Sequence, residues 1–280
     1  MNRQLRLRRA RTPLIVLTTA TVATAILTTT VVQASATKEN ASKPTKPTVV
    51  LVHGAFADSS SWNGVIKELN KDGYPVRAAA NPLRSLRGDA TSLNNLLASI
   101  DGPVILVGHS YGGAVISNAA YSSDNVKALV YADAFIPAKG ESVADLTNKF
   151  PGSVIDETLR PVPITNPDGS EDVDLYIDQA EFRAAFAADV PARTADLMSV
   201  TQRPGTGSAL NEPSGEPGWK TIPSWALVGT NDRIIPRETQ IFMAKRANAH
   251  IKEIKSSHAV TVSRPDAVSR IIENAAQAIR

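Results

Sequence analysis

The sequence predicts an α/β fold: a mostly parallel sheet with helices on both faces and a helical lid inserted into the second half of the chain. Three observations carry this. Short, β-branched apolar runs recur along the 280 residues. Segments of helical periodicity separate them. The alternation then breaks off for one long Pro- and Gly-dense stretch before it resumes. Continuous apolar strands that alternate with amphipathic helices indicate a sheet buried on both faces, which is the parallel arrangement.

The elements follow in order. Thr48–Val52 is a β-branched run that stops at His53-Gly54. In Trp62–Asn70, the residues Trp62, Val65, Ile66 and Leu69 share one helical face. Gly73 ends that helix, and Tyr74–Ala79 reads as the next strand. Leu93–Ile100 is helical in pattern and is broken by Gly102-Pro103. Val104–Val107 is apolar, too short for a helix and bounded by turn residues; Gly108–Gly113 is a sharp turn, Ala114–Tyr121 a helix and Val126–Ala132 a buried strand. From Asp133 to Lys220 the pattern changes, with short helical pieces at Val173–Ala188 and Ala192–Val200. We read about 134–220 as a lid over the C-terminal edge of the sheet, where such folds bind ligands. Strand, helix, strand and closing helix return at Ile222–Val228, Pro236–Ala247, Ile251–Ile254 and Pro265–Ile279.

The N-terminus has a different character. Arg3, Arg6, Arg8, Arg9 and Arg11 precede an uncharged Thr-rich run, Pro13–Val32, and the small residues Ala34, Ser35 and Ala36. A basic segment, an apolar stretch and an A-x-A-like site form a secretory signal peptide. The expected organisation is therefore signal peptide 1–36, flexible leader 37–47 and one catalytic domain 48–280. Arg8-Arg9 raises a twin-arginine route, and the uncleaved run is long enough to serve as an anchor. Removing the five arginines takes the formal charge from +3 to −2. The basic balance thus belongs to the targeting segment, and nucleic-acid binding loses its compositional support. With no cysteine and four unclustered histidines, a thiol nucleophile is excluded and neither metal nor other cofactor is expected.

The chemistry centres on Gly108-His109-Ser110-Tyr111-Gly112-Gly113, a G-x-S-x-G with a strand before it and a helix after it. Small neighbours allow Ser110 to sit on a strained turn with its Oγ clear of the sheet. The helix that follows aims its dipole and the Tyr111 N–H at a developing oxyanion. A hydroxyl needs a base. Of the histidines, His258 alone lies just past a late strand and downstream of every acid candidate, as the order Ser…Asp…His requires. Asp232, in the loop after Val228, is the preferred acid; Asp133, which ends the strand after the nucleophile helix, is its rival. The second oxyanion donor is expected from the loop after the first strand, at the Phe56 amide.

Taken together, His53–Phe56, Trp62, Gly108–Gly113, Asp133–Pro137, Gly229–Asp232 and His258 resemble the α/β-hydrolase superfamily. The likeness is to small bacterial serine esterases, similar also to plant hydroxynitrile lyases and salicylate methylesterases. The resemblance covers nearly everything after Thr48. It implies Ser110 as nucleophile, Asp232 as acid, His258 as base, and Phe56 and Tyr111 as oxyanion donors. A secreted enzyme acting on a small-molecule ester is expected, with no stable membrane association after signal cleavage. Phe135, Ile136 and Tyr176 are the candidate substrate-binding residues, with Phe182, Phe186 and Trp219 as further lid aromatics. Ala259 stands where the lyases place a lysine after the histidine, which weighs against cyanohydrin cleavage. Acyl transfer, perhydrolysis, C–C bond cleavage and ligand reception remain open alternatives on the same residues.

Overall fold

The computed structural model describes residues 46–279. The expected signal peptide, and all but the end of the expected leader, lie outside the described residues. The chain runs β1 (Thr48–Val52), α1 (Asn63–Lys71), β2 (Val76–Ala79), α2 (Leu86–Ala98), β3 (Val104–Ser110), α3 (Tyr111–Ala120) and β4 (Val126–Ala134). An insertion follows: α4 (Val143–Thr147), α5 (Ile155–Thr158), β5 (Leu159–Thr165), β6 (Glu171–Ile177), α6 (Gln179–Ala185), α7 (Ala192–Thr201), β7 (Gly205–Thr206) and α8 (Gly207–Asn211). The chain then closes with β8 (Ser224–Gly229), α9 (Arg237–Arg246), β9 (His250–Ile254), α10 (Val260–Ser263) and α11 (Pro265–Ala278).

The main sheet has the order β2-β1-β3-β4-β8-β9, and every neighbouring pair is parallel. Successive side chains of a strand point to opposite faces, so each apolar run supplies two cores. Val49, Leu51, Ile105, Val107, Ala128 and Val130 pack with Val65 and Leu69 of α1 and Val268 and Ile272 of α11. Val50, Val52, Leu106, Leu129 and Tyr131 face α2, α3 and the insertion. Because the strands are parallel, the loops after β1, β3, β4, β8 and β9 all meet at one rim.

Two elements differ from the sequence reading. Helix α2 begins at Leu86 rather than Leu93, because Ser85 caps it and accepts the Gly88 N–H at 3.1 Å; Gly88 in the first turn obscures the periodicity. Val173–Ile177, expected as helix, is strand, and the helix begins only at Gln179 behind the Asp178 cap. The run Asp172-Val173-Asp174-Leu175-Tyr176-Ile177 alternates at period two, and β5 supplies the antiparallel partner that decides the conformation. Pro161 and Pro163 fit β5 because it is an edge strand, where a missing N–H is tolerated. The insertion is therefore helical with a small antiparallel sheet, β5-β6-β7.

Ile105 is fully buried in the central strand between α1 and α11. Ile105→Ala is expected to lower unfolding free energy by about 2–5 kcal/mol, seen as a lower urea midpoint with an unchanged slope.

Candidate active site

Ser110 ends β3 and caps α3 with φ +54° and ψ −127°. A non-glycine residue there is strained by about 1–3 kcal/mol, and the surroundings hold it. Its carbonyl accepts the Phe135 N–H at 3.1 Å. Gly54 lies against it so closely that a β-carbon on residue 54 would stand 2.6 Å from Ser110 Cβ. Tyr111 is anchored below by a 2.7 Å hydrogen bond from its hydroxyl to Asp89, while its amide, at the first turn of α3, has no partner among the described residues.

His258 and Asp232 come together as the sequence order anticipates. His258 Nδ1 lies 2.7 Å from Asp232 Oδ2, with both side chains fully buried. Asp232 Oδ1 accepts the backbone N–H groups of Ile234 and Ile235 at 2.8 and 3.0 Å, and Gln240 Nε2 donates to Oδ2 at 2.9 Å. The carboxylate is thus orientated from four directions. The histidine loop is held just as closely. His109 Nε2 donates to the His258 carbonyl at 2.8 Å, and the Ala259 N–H donates to the Phe186 carbonyl at 3.0 Å. Ser257 donates to Asp189, and the Phe186 ring meets the imidazole edge-on with centroids 4.8 Å apart. Burial pushes the pKa of His109 well below the usual imidazole value and lowers that of His53. Both are therefore neutral scaffolding groups. His250 opens β9 at the opposite rim.

His258 Nε2 is buried and makes no hydrogen bond among the described residues. No hydrogen bond joins it to the Ser110 hydroxyl among the described residues, so that link is open.

The amide expected as the second oxyanion donor is already occupied. The Phe56 N–H donates to the Arg203 carbonyl at 2.8 Å, because the left-handed backbone at Phe56, φ +62°, turns its amide toward the insertion. The Ala55 amide, one position earlier, has no partner among the described residues. Ala55 lines a cavity of about 280 Å³ together with Ser110, Tyr111 and Phe135. Val143, Ile155, Leu159, Leu175, Leu210 and Ile234 supply its apolar wall; among the described residues Asp156 is the one charged side chain on it.

Of the candidate substrate-binding residues, Phe135 lines this cavity and Ile136 and Tyr176 do not. Ile136 is buried, its N–H directed at the Met243 sulfur. Tyr176 is next to Leu175 on β6, so the strand pleat sends it to the other face. Phe182 and Phe186 stack on each other with centroids 5.0 Å apart, and Trp219 donates to the Pro137 carbonyl at 2.9 Å. Asp133, the rival acid, is not bonded to His258 among the described residues and reaches across to β8, where its Oδ1 accepts the Gly229 N–H at 2.5 Å. Gln240 was not anticipated. Its only signal is a polar residue on the buried face of α9, beside Thr239, Met243 and Ala244.

The sequence pattern of the alpha/beta hydrolase family matches residues 49–271. Among curated proteins, the chain is 26% identical to an alpha/beta hydrolase, nvfD, of Aspergillus novofumigatus, covering 82% of this chain and 97% of that one. It is also 26% identical to a pyrethroid hydrolase of Sphingobium wenxiniae, covering 82% and 88%. Among solved structures, polyneuridine aldehyde esterase superposes with a TM-score of 0.72 at 20% identity, over 82% of this chain and 98% of that one.

Gln240→Leu removes one hydrogen bond to a buried carboxylate. The expected loss is about 1.5–3 kcal/mol of stability, measurable by urea unfolding at pH 7.

Proposed function

The chain belongs to the alpha/beta hydrolase family and is a hydrolytic enzyme, and from that premise we propose that it cleaves small, uncharged carboxylic esters through Ser110, His258 and Asp232. The observation that carries the reading is the buried 2.7 Å bond between His258 Nδ1 and Asp232 Oδ2 at the same rim as the strained Ser110. Asp232 holds the imidazole in the tautomer whose Nε2 can accept a proton. In the reactive state the open link closes: Ser110 Oγ attacks the acyl carbonyl as its proton passes to His258 Nε2. The imidazolium then forms beside the Asp232 carboxylate.

The oxyanion meets two free amides, Tyr111 at the N-terminus of α3 and Ala55 after β1, with the helix dipole behind them. His258 returns the proton to the departing alcohol, and a water activated by the same base releases the acid. The cavity supports the substrate class. It lies at the small end of ligand sites, its wall is mostly apolar, and it has no cation to receive an anionic ester. The names of the relatives, which include an esterase and a pyrethroid hydrolase, agree with ester chemistry. The buried Ala259, whose amide is tied to Phe186, favours hydrolysis over a lyase that relies on a lysine at that position.

We also propose that the protein is exported and processed near Ala36, a reading supported by the basic, apolar and small-residue order of the first 36 residues. Sequencing the N-terminus of protein recovered from culture medium should give a start near Thr37; an intact Met1 in the cell pellet alone would refute export.

A fluorophosphonate probe is expected to label the wild type and not Ser110→Ala. p-Nitrophenyl butyrate should be turned over much faster than the palmitate ester or a negatively charged ester of similar size. Lack of labelling in folded wild-type protein would remove the nucleophile assignment.

A further inference from the structure

Asp133 is the buried titratable group that the proposed reaction does not use. It is fully buried and has φ +43°, a left-handed backbone in a non-glycine residue. It is also the extra residue of a bulge: His109 pairs with Ala132 and Ser110 with Ala134, so Asp133 has no partner on β3. Bulges of this kind redirect a side chain. Here the redirected carboxyl crosses to β8, where Oδ1 accepts the Gly229 N–H at 2.5 Å.

Gly229 is the root of the loop that carries Asp232, and Ser256 is the root of the loop that carries His258. The two loops are already laced by Thr230 N–H to Ile254 O at 2.8 Å and Asn231 N–H to Ser256 O at 3.1 Å. A β-carbon on residue 229 would stand 2.7 Å from Asp133 Oδ2 and 2.8 Å from Ser256 Oγ. The carboxyl and the hydroxyl therefore occupy the same small space over the Gly229 Cα. Both oxygens are buried, and neither has a hydrogen-bond partner among the described residues.

We propose that Asp133 is a positioning residue whose carboxyl ties the root of the Asp232 loop, through Gly229, to the root of the His258 loop, through Ser256, and so sets the Asp232–His258 hydrogen bond. The inference rests on the triad reading above. Asp133 works as the neutral acid: Oδ1 accepts from Gly229, and the protonated Oδ2 turns to donate to Ser256 Oγ. Burial first, and then the charges of Asp232 and Asp189, push its pKa well above the usual carboxylate range. Among the described residues no cation forms an ion pair with it. His258, bonded to Asp232, is the next titratable group along. An ionised Asp133 would lose its donor and set a second negative charge near Asp232.

Asparagine reproduces the neutral acid, accepting with Oδ1 and donating with Nδ2. Asp133→Asn is expected to keep kcat/KM within about threefold of wild type at pH 7 and to show none of the activity loss that ionisation of Asp133 causes in wild type as pH rises. Asp133→Ala should lower kcat by tenfold or more with KM within twofold, and should alter the downfield proton resonance of His258 Nδ1. The stability readout has a definite sign. The folded state holds the Asp133 proton above 3.8, the ordinary aspartate value, where the unfolded chain releases it. Wild-type stability therefore declines as pH rises from that value, whereas Asp133→Asn has no such slope. The urea midpoint of Asp133→Asn should gain on wild type as pH increases.

Loss of activity in Asp133→Asn as severe as in Asp232→Asn would show that a charged acid is needed and overturn the inference. So would a folded Asp133→Ala with wild-type kcat and resonance, or parallel pH profiles for Asp133→Asn and wild type. Fluorophosphonate labelling of Ser110 in each preparation separates these outcomes from failure of the triad reading.

Discussion

The site depends on one backbone constraint: β3 must stop and α3 must start within a single residue, and that residue, Ser110, must have positive φ. Nothing about serine favours this conformation. It is imposed by packing from neighbouring strands, with Gly54 pressed against the side chain and the Phe135 amide on the carbonyl. The strain is affordable because both faces of the sheet are filled, so β3 has nowhere to shift. Once Ser110 is placed, the free Tyr111 amide and the α3 dipole follow automatically.

A second theme is how few charges the centre contains. His53 and His109 are kept neutral by burial, and Asp133 is driven toward its protonated form by burial and by Asp232. Asp232 alone has a complete set of donors: two amides, Gln240 and the imidazole. Environment thus assigns different roles to similar side chains, two aspartates and three histidines in one buried region. The insertion contributes directly to this arrangement, since Phe186 and Asp189 fix the loop that bears His258.

Much of the centre is readable from the chain. The elbow has a local signature because its turn demands glycines. The pairing of Asp232 with His258 follows from their place after late strands and from chain order, and the apolar runs of β1, β3 and β4 announce a sheet covered on both faces. The misreadings share a cause. Val173–Ile177 is short and fits two periodicities, and its pairing with β5 is a long-range choice. Leu175 rather than Tyr176 lines the cavity, and the Phe56 amide rather than that of Ala55 is taken up by Arg203; each is a shift of one residue. One residue reverses the face of a strand or the direction of an amide.

The sequence by itself determined the fold class, the sharp turn that carries Ser110 and the pairing of a late aspartate with a late histidine, because these depend on periodicity, a glycine-bounded turn and order along the chain. Only the tertiary structure decided which amide beside Ser110 is free, what holds Asp232 and what Asp133 does. Those outcomes depend on contacts between segments remote in sequence: Phe56 with Arg203, Asp232 with Gln240 on a separate helix, Asp133 with Gly229. Burial then sets the charge of each group, and burial is a property of the packed molecule that no local pattern encodes.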